Sequence, residues 1–280
     1  MKTDKHFSVN SIEDRSNAAR RKAVGLTMQN IIRNFKEKLK NDGVFGVFSK
    51  TCDPALIETM GYAGADYVII DLEHGPNSVQ SVQNLIRGAQ VAGLMPIVRV
   101  KESCASVMGE VLDIGAGGIQ VPQIGTREEA EAVIKRTKFS PMGERGVCRF
   151  VRAAKYSSKD RFEYFKDANE AVTILQIEGQ SGIDNLDDII SVKGIDAIFI
   201  GPYDLSQSLG VAGQIDHPLV EAKMLEIVKK CADVGVTVGT FVDTVENAKK
   251  WKALGVKYIS YSVDMGIFHD AIKDIITKIN

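Results

Sequence analysis

The chain has 280 residues, 44% hydrophobic and 25% charged, with a formal net charge of −1. These proportions suit an ordinary soluble protein whose core is large enough to stand without disulfides. Basic and acidic residues are interspersed, which argues against nucleic acid or a membrane surface as partner, and no apolar run approaches the roughly 18 residues of a membrane span.

Residues 1–27 read as a flexible extension in which Ser, Asn, Asp and Arg dominate, with no apolar stretch of the kind a secretory signal needs. From Met28 to Leu39, Ile31, Ile32, Phe35 and Leu39 recur at helical spacing and predict an amphipathic helix packed on the main body. A strand–helix unit then repeats through residues 28–280, which are expected to form one domain. The predicted strands are Val44–Phe48, Tyr67–Asp71, Met95–Arg99, Gly118–Val121, Thr173–Glu178, Ala197–Gly201, Val236–Phe241 and Tyr258–Ser262. Helical patterns separate them, as at Pro54–Tyr62, Val79–Val91, Arg127–Lys135, Leu219–Cys231 and Val245–Leu254. Near-continuous apolar strands such as Y-V-I-I-D and A-I-F-I-G demand a parallel sheet covered on both faces. Eight units predict a (β/α)8 TIM barrel with an N-terminal helical extension. The long connection Lys138 to Ala171, rich in Arg, Lys, Phe and Tyr, is a candidate lid or oligomer contact. Cys52, Cys104, Cys148 and Cys231 are far apart, with no Cys-x-x-Cys pair, so neither zinc nor a disulfide framework is indicated. Scattered thiols of this kind point to a reducing, cytoplasmic setting.

In such a barrel the chemistry sits where the strands end. Strand two ends in Asp71 and continues D-L-E-H-G-P through Glu73 and His74. Strand three ends in Arg99. Strand five ends in Gln176-Ile-Glu178, whose two-residue spacing points both side chains the same way. Strand six leads through G-P-Y-D-L-S, past Tyr203, to Asp204. Asp113 closes the third helix in V-L-D-I-G-A-G-G, where it would support the pocket. Glu178 and Asp204 offer two hard oxygen ligands suited to Mg²⁺ or Mn²⁺, with Co²⁺ admitted by the same donors. Arg99 presents a fork of donors to an enolate or carboxylate oxygen, and His74 is the acid/base of the set that titrates near neutrality. Taken singly, each residue also has a structural reading: Glu178 or Asp204 as a helix cap, Arg99 as an ion pair, His74 as a solvated loop histidine. Co-location at one end of one barrel favours the functional reading. The run G-A-G-G at Gly115–Gly118 precedes a strand and is neither a P-loop nor a dinucleotide fingerprint.

The segments G-Y-A-G-A-D-Y-V-I-I-D-L-E-H-G-P, P-I-V-R-V, V-L-D-I-G-A-G-G-I-Q-V-P, S-P-M-G-E-R-G, L-Q-I-E and I-F-I-G-P-Y-D-L-S-Q-S-L-G occur in order between Phe45 and Ile279. In them the chain resembles the HpcH/HpaI aldolases, the metal-dependent (class II) 2-oxo acid aldolases. The resemblance implies that Glu178 and Asp204 hold the divalent metal and that a pyruvate-like 2-oxo acid binds beside Gln176, Tyr203, Asp204 and Arg99. It implies that Arg99 stabilises the enolate oxygen, that His74, oriented by Asp71, moves protons, and that no Schiff-base lysine is needed. Lys50, two residues beyond strand one, is the nearest candidate for one. It also implies a homo-oligomer, dimer-based and up to a hexamer, with the last helix, Gly266–Ile279, packed on a neighbour. The run Gly179-Gln180-Ser181 after L-Q-I-E and the basic stretch Cys148–Tyr156 depart from the family pattern. The expected activity is reversible cleavage of a 4-hydroxy-2-oxo acid to pyruvate and an aldehyde. Two rivals share the scaffold: a condensing synthase of citrate-synthase type using oxaloacetate and an acyl-CoA, and a non-catalytic metabolite-binding barrel.

Overall fold

Eight short strands rich in β-branched and aromatic residues pair in sequence order and close on themselves: β1 (Val44–Ser49), β2 (Tyr67–Asp71), β3 (Met95–Arg99), β4 (Gly118–Val121), β5 (Val172–Ile177), β6 (Ala197–Ile200), β7 (Thr237–Val242) and β8 (Tyr258–Val263). Every pairing is parallel, including β1 with β8. This is the predicted (β/α)8 barrel, with strand ends shifted from the expectation by at most one residue. The computed structural model describes residues 27–101 and 105–279. The predicted flexible extension lies, but for Thr27, outside the described residues, as does Cys104.

The amphipathic helix expected before the barrel is α1 (Met28–Asn41), started by the Thr27 side chain accepting from the Asn30 N–H. Its Ile31, Ile32, Phe35 and Leu39 are buried. They close the end of the barrel where the strands begin, joining Val44, Tyr67, Met95, Val172 and Tyr258 in one interior cluster. Tyr67 and Tyr258 stack across the barrel with centroids 4.3 Å apart, and the Phe35 ring stands edge-on to both. Gly46 and Gly239 make this possible. A Cβ on either would lie 2.6 Å or less from an atom of the Tyr67 or Tyr258 ring. A barrel interior is filled by side chains in layers, so two large rings require small residues opposite.

The outer layer is built from α2 (Pro54–Tyr62), α3 (Val79–Val91), α4 (Ala105–Asp113), α5 (Arg127–Thr137), α6 (Arg161–Ala168), α7 (Gln180–Asp184), α8 (Leu186–Ile190), α9 (Pro202–Ser208), α10 (Pro218–Asp233), α11 (Val245–Ala253) and α12 (Asp264–Ile279). Capping boxes start two of them, Ser78 with Ser81 at α3 and Thr126 with Glu129 at α5. A second, larger cluster of Leu, Ile and Val seals these helices to the outer faces of the strands. No helix among the described residues is long and apolar enough to cross a membrane.

The connection Lys138 to Ala171 forms a 3₁₀ turn (Arg152–Ser157) and α6, packed on a small cluster of Phe139, Ala154 and Tyr164. It runs from the end of a helix to the start of a strand, so it belongs to the base of the barrel beside α1. There it bounds a cavity of about 470 Å³ with Met28, Arg145, Arg152 and Tyr164. The expectation of a lid over this chain's own mouth is therefore corrected by topology. Helix-to-strand connections lie opposite the strand ends that carry the site.

Candidate active site

Register brings the polar strand ends together. Asp71 pairs across to Arg99, Arg99 to Gln120, and Gln120 to Ile174, two residues before Gln176. All share the inward-facing layer at the mouth. There they meet Glu178, directly after β5, and Asp204, in the first turn of α9. Asp71, Arg99, Gln176, Tyr203 and Asp204 line a mouth cavity of about 160 Å³, walled by Phe48, Phe199 and Phe241. Glu178 and Asp204 also face an adjoining cleft of about 450 Å³ with Gln123 and Gly125.

Arg99 is the hub of the charge network. Its Nε and Nη2 donate to the two oxygens of Asp71 at 2.9 and 2.8 Å, and its Nη1 lies 2.9 Å from Glu73 Oε2. The guanidinium also stacks over the Phe48 ring, 4.9 Å from its centroid. A guanidinium carries five N–H donors, so one hydrogen each on Nη1 and Nη2 remains free to meet a substrate oxygen. Asp71 is fully buried, and its Oδ1 also accepts the backbone N–H groups of Glu73 and His74 at 3.0 and 3.4 Å. Asp71 thus shapes the loop through its backbone and does not touch the imidazole. The His74 ring is 66% exposed and stands 3.9 Å from Glu73 Oε2. The expected orientation of His74 by Asp71 is in this sense indirect, because Arg99 and two amide groups already occupy the carboxylate.

Glu178 is held from two sides. Its Oε1 accepts the Gln123 N–H at 2.9 Å, and its Oε2 accepts from Gln176 Nε2 at 2.5 Å. Gln176 is itself fixed, because Gln120 Nε2 donates to its Oε1 at 2.7 Å. Tyr258 OH reaches Gln120 Oε1 at 3.4 Å. A chain of amides therefore runs from the barrel interior to the Glu178 carboxylate and sets which way the Gln176 amide faces. Behind Glu178 the backbone is Gly201, where a Cβ would sit 2.8 Å from Glu178 Oε2.

Burial pushes the Glu178 carboxyl above the ordinary carboxylate range, with Asp204 and Glu73 adding to the rise against the Gln176 and Gln123 hydrogen bonds. Burial likewise raises Glu73, which Arg99 lowers and Asp71 and Asp204 raise. Four carboxylates, Asp71, Glu73, Glu178 and Asp204, thus crowd one end of the mouth with one guanidinium among them. That is the donor chemistry and excess negative charge an oxygen-seeking divalent cation would relieve. No group of three or more His, Cys, Asp or Glu side chains is arranged as a complete metal cage among the described residues. Two carboxylates fit a site that leaves its other positions to substrate and water.

Asp113 is not brought to this cluster. It ends α4 at the base of the barrel, where Arg145 Nη2 donates to its Oδ1 at 2.5 Å. The expected support of the pocket is corrected: helices run antiparallel to the strands, so a helix C-terminus lies at the far face. Glu73 was expected at the strand ends without a role of its own; Gln120 and Asp264 were not expected near the mouth. Gln120 carried a usable signal, as the polar residue in the buried run G-I-Q-V. Asp264, directly after the last strand, is buried and accepts from Ser49 Oγ at 2.7 Å and from the Lys50 and Thr51 N–H groups at 3.0 Å each.

Residues 44–271 match the family model for HpcH/HpaI aldolase/citrate lyase. The chain is 31% identical over 249 residues to a hydroxypyruvate/pyruvate aldolase of Roseobacter denitrificans, covering 88% of this chain and 97% of that protein. Among solved structures, an HpcH/HpaI aldolase/citrate lyase family protein from Burkholderia cenocepacia superposes with a TM-score of 0.83 at 30% identity, over 88% of this chain and 98% of that one. The citrate synthase SbnG follows with a TM-score of 0.79 at 31% identity, over 87% and 96%. Barrel and relatives agree: the chain is a carbon–carbon lyase that belongs to the HpcH/HpaI aldolase/citrate lyase family.

Proposed function

We propose that this protein reversibly cleaves a 4-hydroxy-2-oxo acid into pyruvate, or a related 2-oxo acid, and an aldehyde, with Glu178 and Asp204 holding a divalent metal. The observation that carries this reading is the adjacency of an uncompensated carboxylate group, Glu178 and Asp204, to a buried arginine with two free donors. Aldol cleavage leaves an enolate, and its developing charge must be met where the 2-oxo oxygen lies. A bound Mg²⁺ or Mn²⁺, or Co²⁺ on the same oxygens, would supply Lewis-acid polarisation of that oxygen. The free N–H groups of Arg99 share the same charge, while Asp71 and Glu73 hold the guanidinium in place. Gln176, locked by Gln120 and Glu178, offers its remaining amide hydrogen to the bound acid. His74, on the solvent side of the mouth, takes the proton of the aldol hydroxyl in cleavage and returns it in condensation.

A homo-oligomer is part of the proposal. Phe268, Ile272, Ile275, Ile276 and Ile279 are exposed along α12, an apolar face that a second copy of the chain would cover. A second chemical reading, condensation of oxaloacetate with an acyl-CoA, is supported by the likeness to citrate synthase SbnG. The test is pyruvate release from a panel of 4-hydroxy-2-oxo acids, with and without EDTA, for wild type and Glu178→Ala. Metal-dependent release abolished by the substitution is expected. Absence of release, with citrate formed from oxaloacetate and acetyl-CoA, would favour the condensing reading.

A further inference from the structure

Among the described residues the His74 ring makes no hydrogen bond. Its ion-pair contact with Glu73 Oε2 is 3.9 Å long, and the ring is 66% exposed. No polar group holds the imidazole, so its place at the mouth is set by the backbone that carries it.

That backbone crosses the rim of the barrel between two buried anchors. The first is Asp71, which accepts the Glu73 and His74 N–H groups, while the Leu72 N–H donates to the Arg99 carbonyl at 2.9 Å. The second is Asn77, only 5% exposed. Its Nδ2 donates to the Thr51 carbonyl at 2.9 Å, and its Oδ1 accepts from Ser81 Oγ at 2.9 Å. Thr51 is fixed in turn. Its N–H donates to the buried Asp264 carboxylate at 3.0 Å, and its Oγ1 accepts the Asp53 N–H at 3.0 Å. Only His74, Gly75 and Pro76 lie between the anchors. Gly75 passes so close to the first that a Cβ on it would sit 2.3 Å from the Asp71 carbonyl oxygen. Pro76 has a φ set by its ring. A span this short and this constrained goes where its ends go.

We propose that Asn77 is a positioning residue for the reaction: by tying the loop after β2 to the turn after β1, it fixes where His74 stands. The inference rests on the reading of His74 as the group that takes the aldol hydroxyl proton. Asn77 makes no hydrogen bond to Arg99, Glu178 or Asp204, whereas Asp71 holds Arg99 as well as the loop. Loss of the Asn77 amide therefore displaces His74 and leaves the groups around the enolate in place.

The test uses two reactions that differ in their need for His74. Cleavage of the best substrate of the 4-hydroxy-2-oxo acid panel breaks the C3–C4 bond and requires removal of the hydroxyl proton. Decarboxylation of oxaloacetate releases CO₂ and leaves the same pyruvate enolate, which takes a proton from water, and there is no hydroxyl proton to remove. Both rates are read with saturating Mg²⁺ on one preparation each of wild type, His74→Ala, Asn77→Leu and the double variant, so their ratio is blind to an unfolded fraction. A catalytic group misplaced by about 1 Å costs about 100-fold, so we expect kcat for cleavage to fall about 10- to 100-fold in Asn77→Leu, with KM and the decarboxylation rate within about three-fold of wild type. Asn77→Asp, which keeps an acceptor for Ser81 and loses only the donor to Thr51, should move the ratio the same way. In the double variant Asn77→Leu should add nothing to the loss caused by His74→Ala, because a residue that acts through another is not additive with it. An unmoved ratio, or a double loss equal to the product of the two single losses, would overturn the proposal. Cleavage undiminished by His74→Ala would instead refute the His74 reading itself, and the Asn77 inference would fall with it.

Discussion

Gln120→Leu is the substitution that most directly tests how the site is held. Leu fills much of the same volume in the barrel interior, so the change removes hydrogen bonds with little loss of packing. It leaves the Gln176 Oε1 without its 2.7 Å donor in a side chain only 3% exposed. A buried polar atom stripped of its partner costs about 1–3 kcal/mol. Sparing the burial of Gln120's own amide returns about 1 kcal/mol of that. The net loss is at most about 2 kcal/mol, or a fall of up to about 8 °C in melting temperature for a chain of this size. The consequence for function is larger. With its Oε1 released, the Gln176 amide can turn, and Glu178 Oε2 loses the 2.5 Å hydrogen bond that orients it. Groups behind metal ligands typically govern about 10- to 100-fold in affinity. Titration of Mn²⁺ into wild type and variant, beside thermal melts of both in EDTA, measures the two effects separately. A variant that melts lower yet binds Mn²⁺ within about two-fold of wild type would refute the argument that this amide chain positions Glu178.

Three further outcomes follow from the same geometry. Burial, reinforced by Asp204 and Glu73, raises the Glu178 carboxyl, so between its unfolded and folded values the native state binds more protons than the unfolded chain. The chelated protein therefore gains stability as pH falls from neutrality toward the ordinary carboxylate range and loses it as pH rises; melting curves should show this slope in EDTA and lose it in saturating Mg²⁺, and an identical slope in both would count against a metal at Glu178. Arg99→Lys keeps the charge but cannot reproduce the paired bonds to Asp71 together with the contact to Glu73, and kcat should fall about 100-fold or more; a variant with near-normal kcat would remove Arg99 from the chemistry. Phe268→Ser combined with Ile275→Ser polarises the exposed face of α12, and sedimentation should then report a smaller species than wild type, whereas an unchanged assembly would place the subunit interface elsewhere.

Much of this protein is written locally in its chain. Strands such as Y-V-I-I-D show their burial on both faces by an unbroken apolar run, and the residue closing each run falls at the mouth of any parallel barrel. Asp71, Arg99 and Gln176 were legible for that reason, since side-chain direction along a strand follows from its two-residue period, while Asp204 was legible only as the acid that shortly follows β6. The helix at Met28 was legible because its apolar residues repeat once per turn. What only the tertiary structure decided involves partners distant in sequence. Gln120 and Gln176 are 56 positions apart, and the barrel register alone makes them neighbours. Asp264 reaches the turn after β1 across more than 200 positions, because the barrel closes β8 against β1. Asp113 looked like a mouth residue in the chain and proved a base residue, since the direction of its helix sets its face and composition does not. The His74 ring followed the same logic: adjacency to Asp71 suggested a contact, but the carboxylate was already taken by an arginine from the next strand. Short-range periodicity determines which residues are buried and which way they point; which of them meet is a matter of closure and register, and these belong to the whole fold.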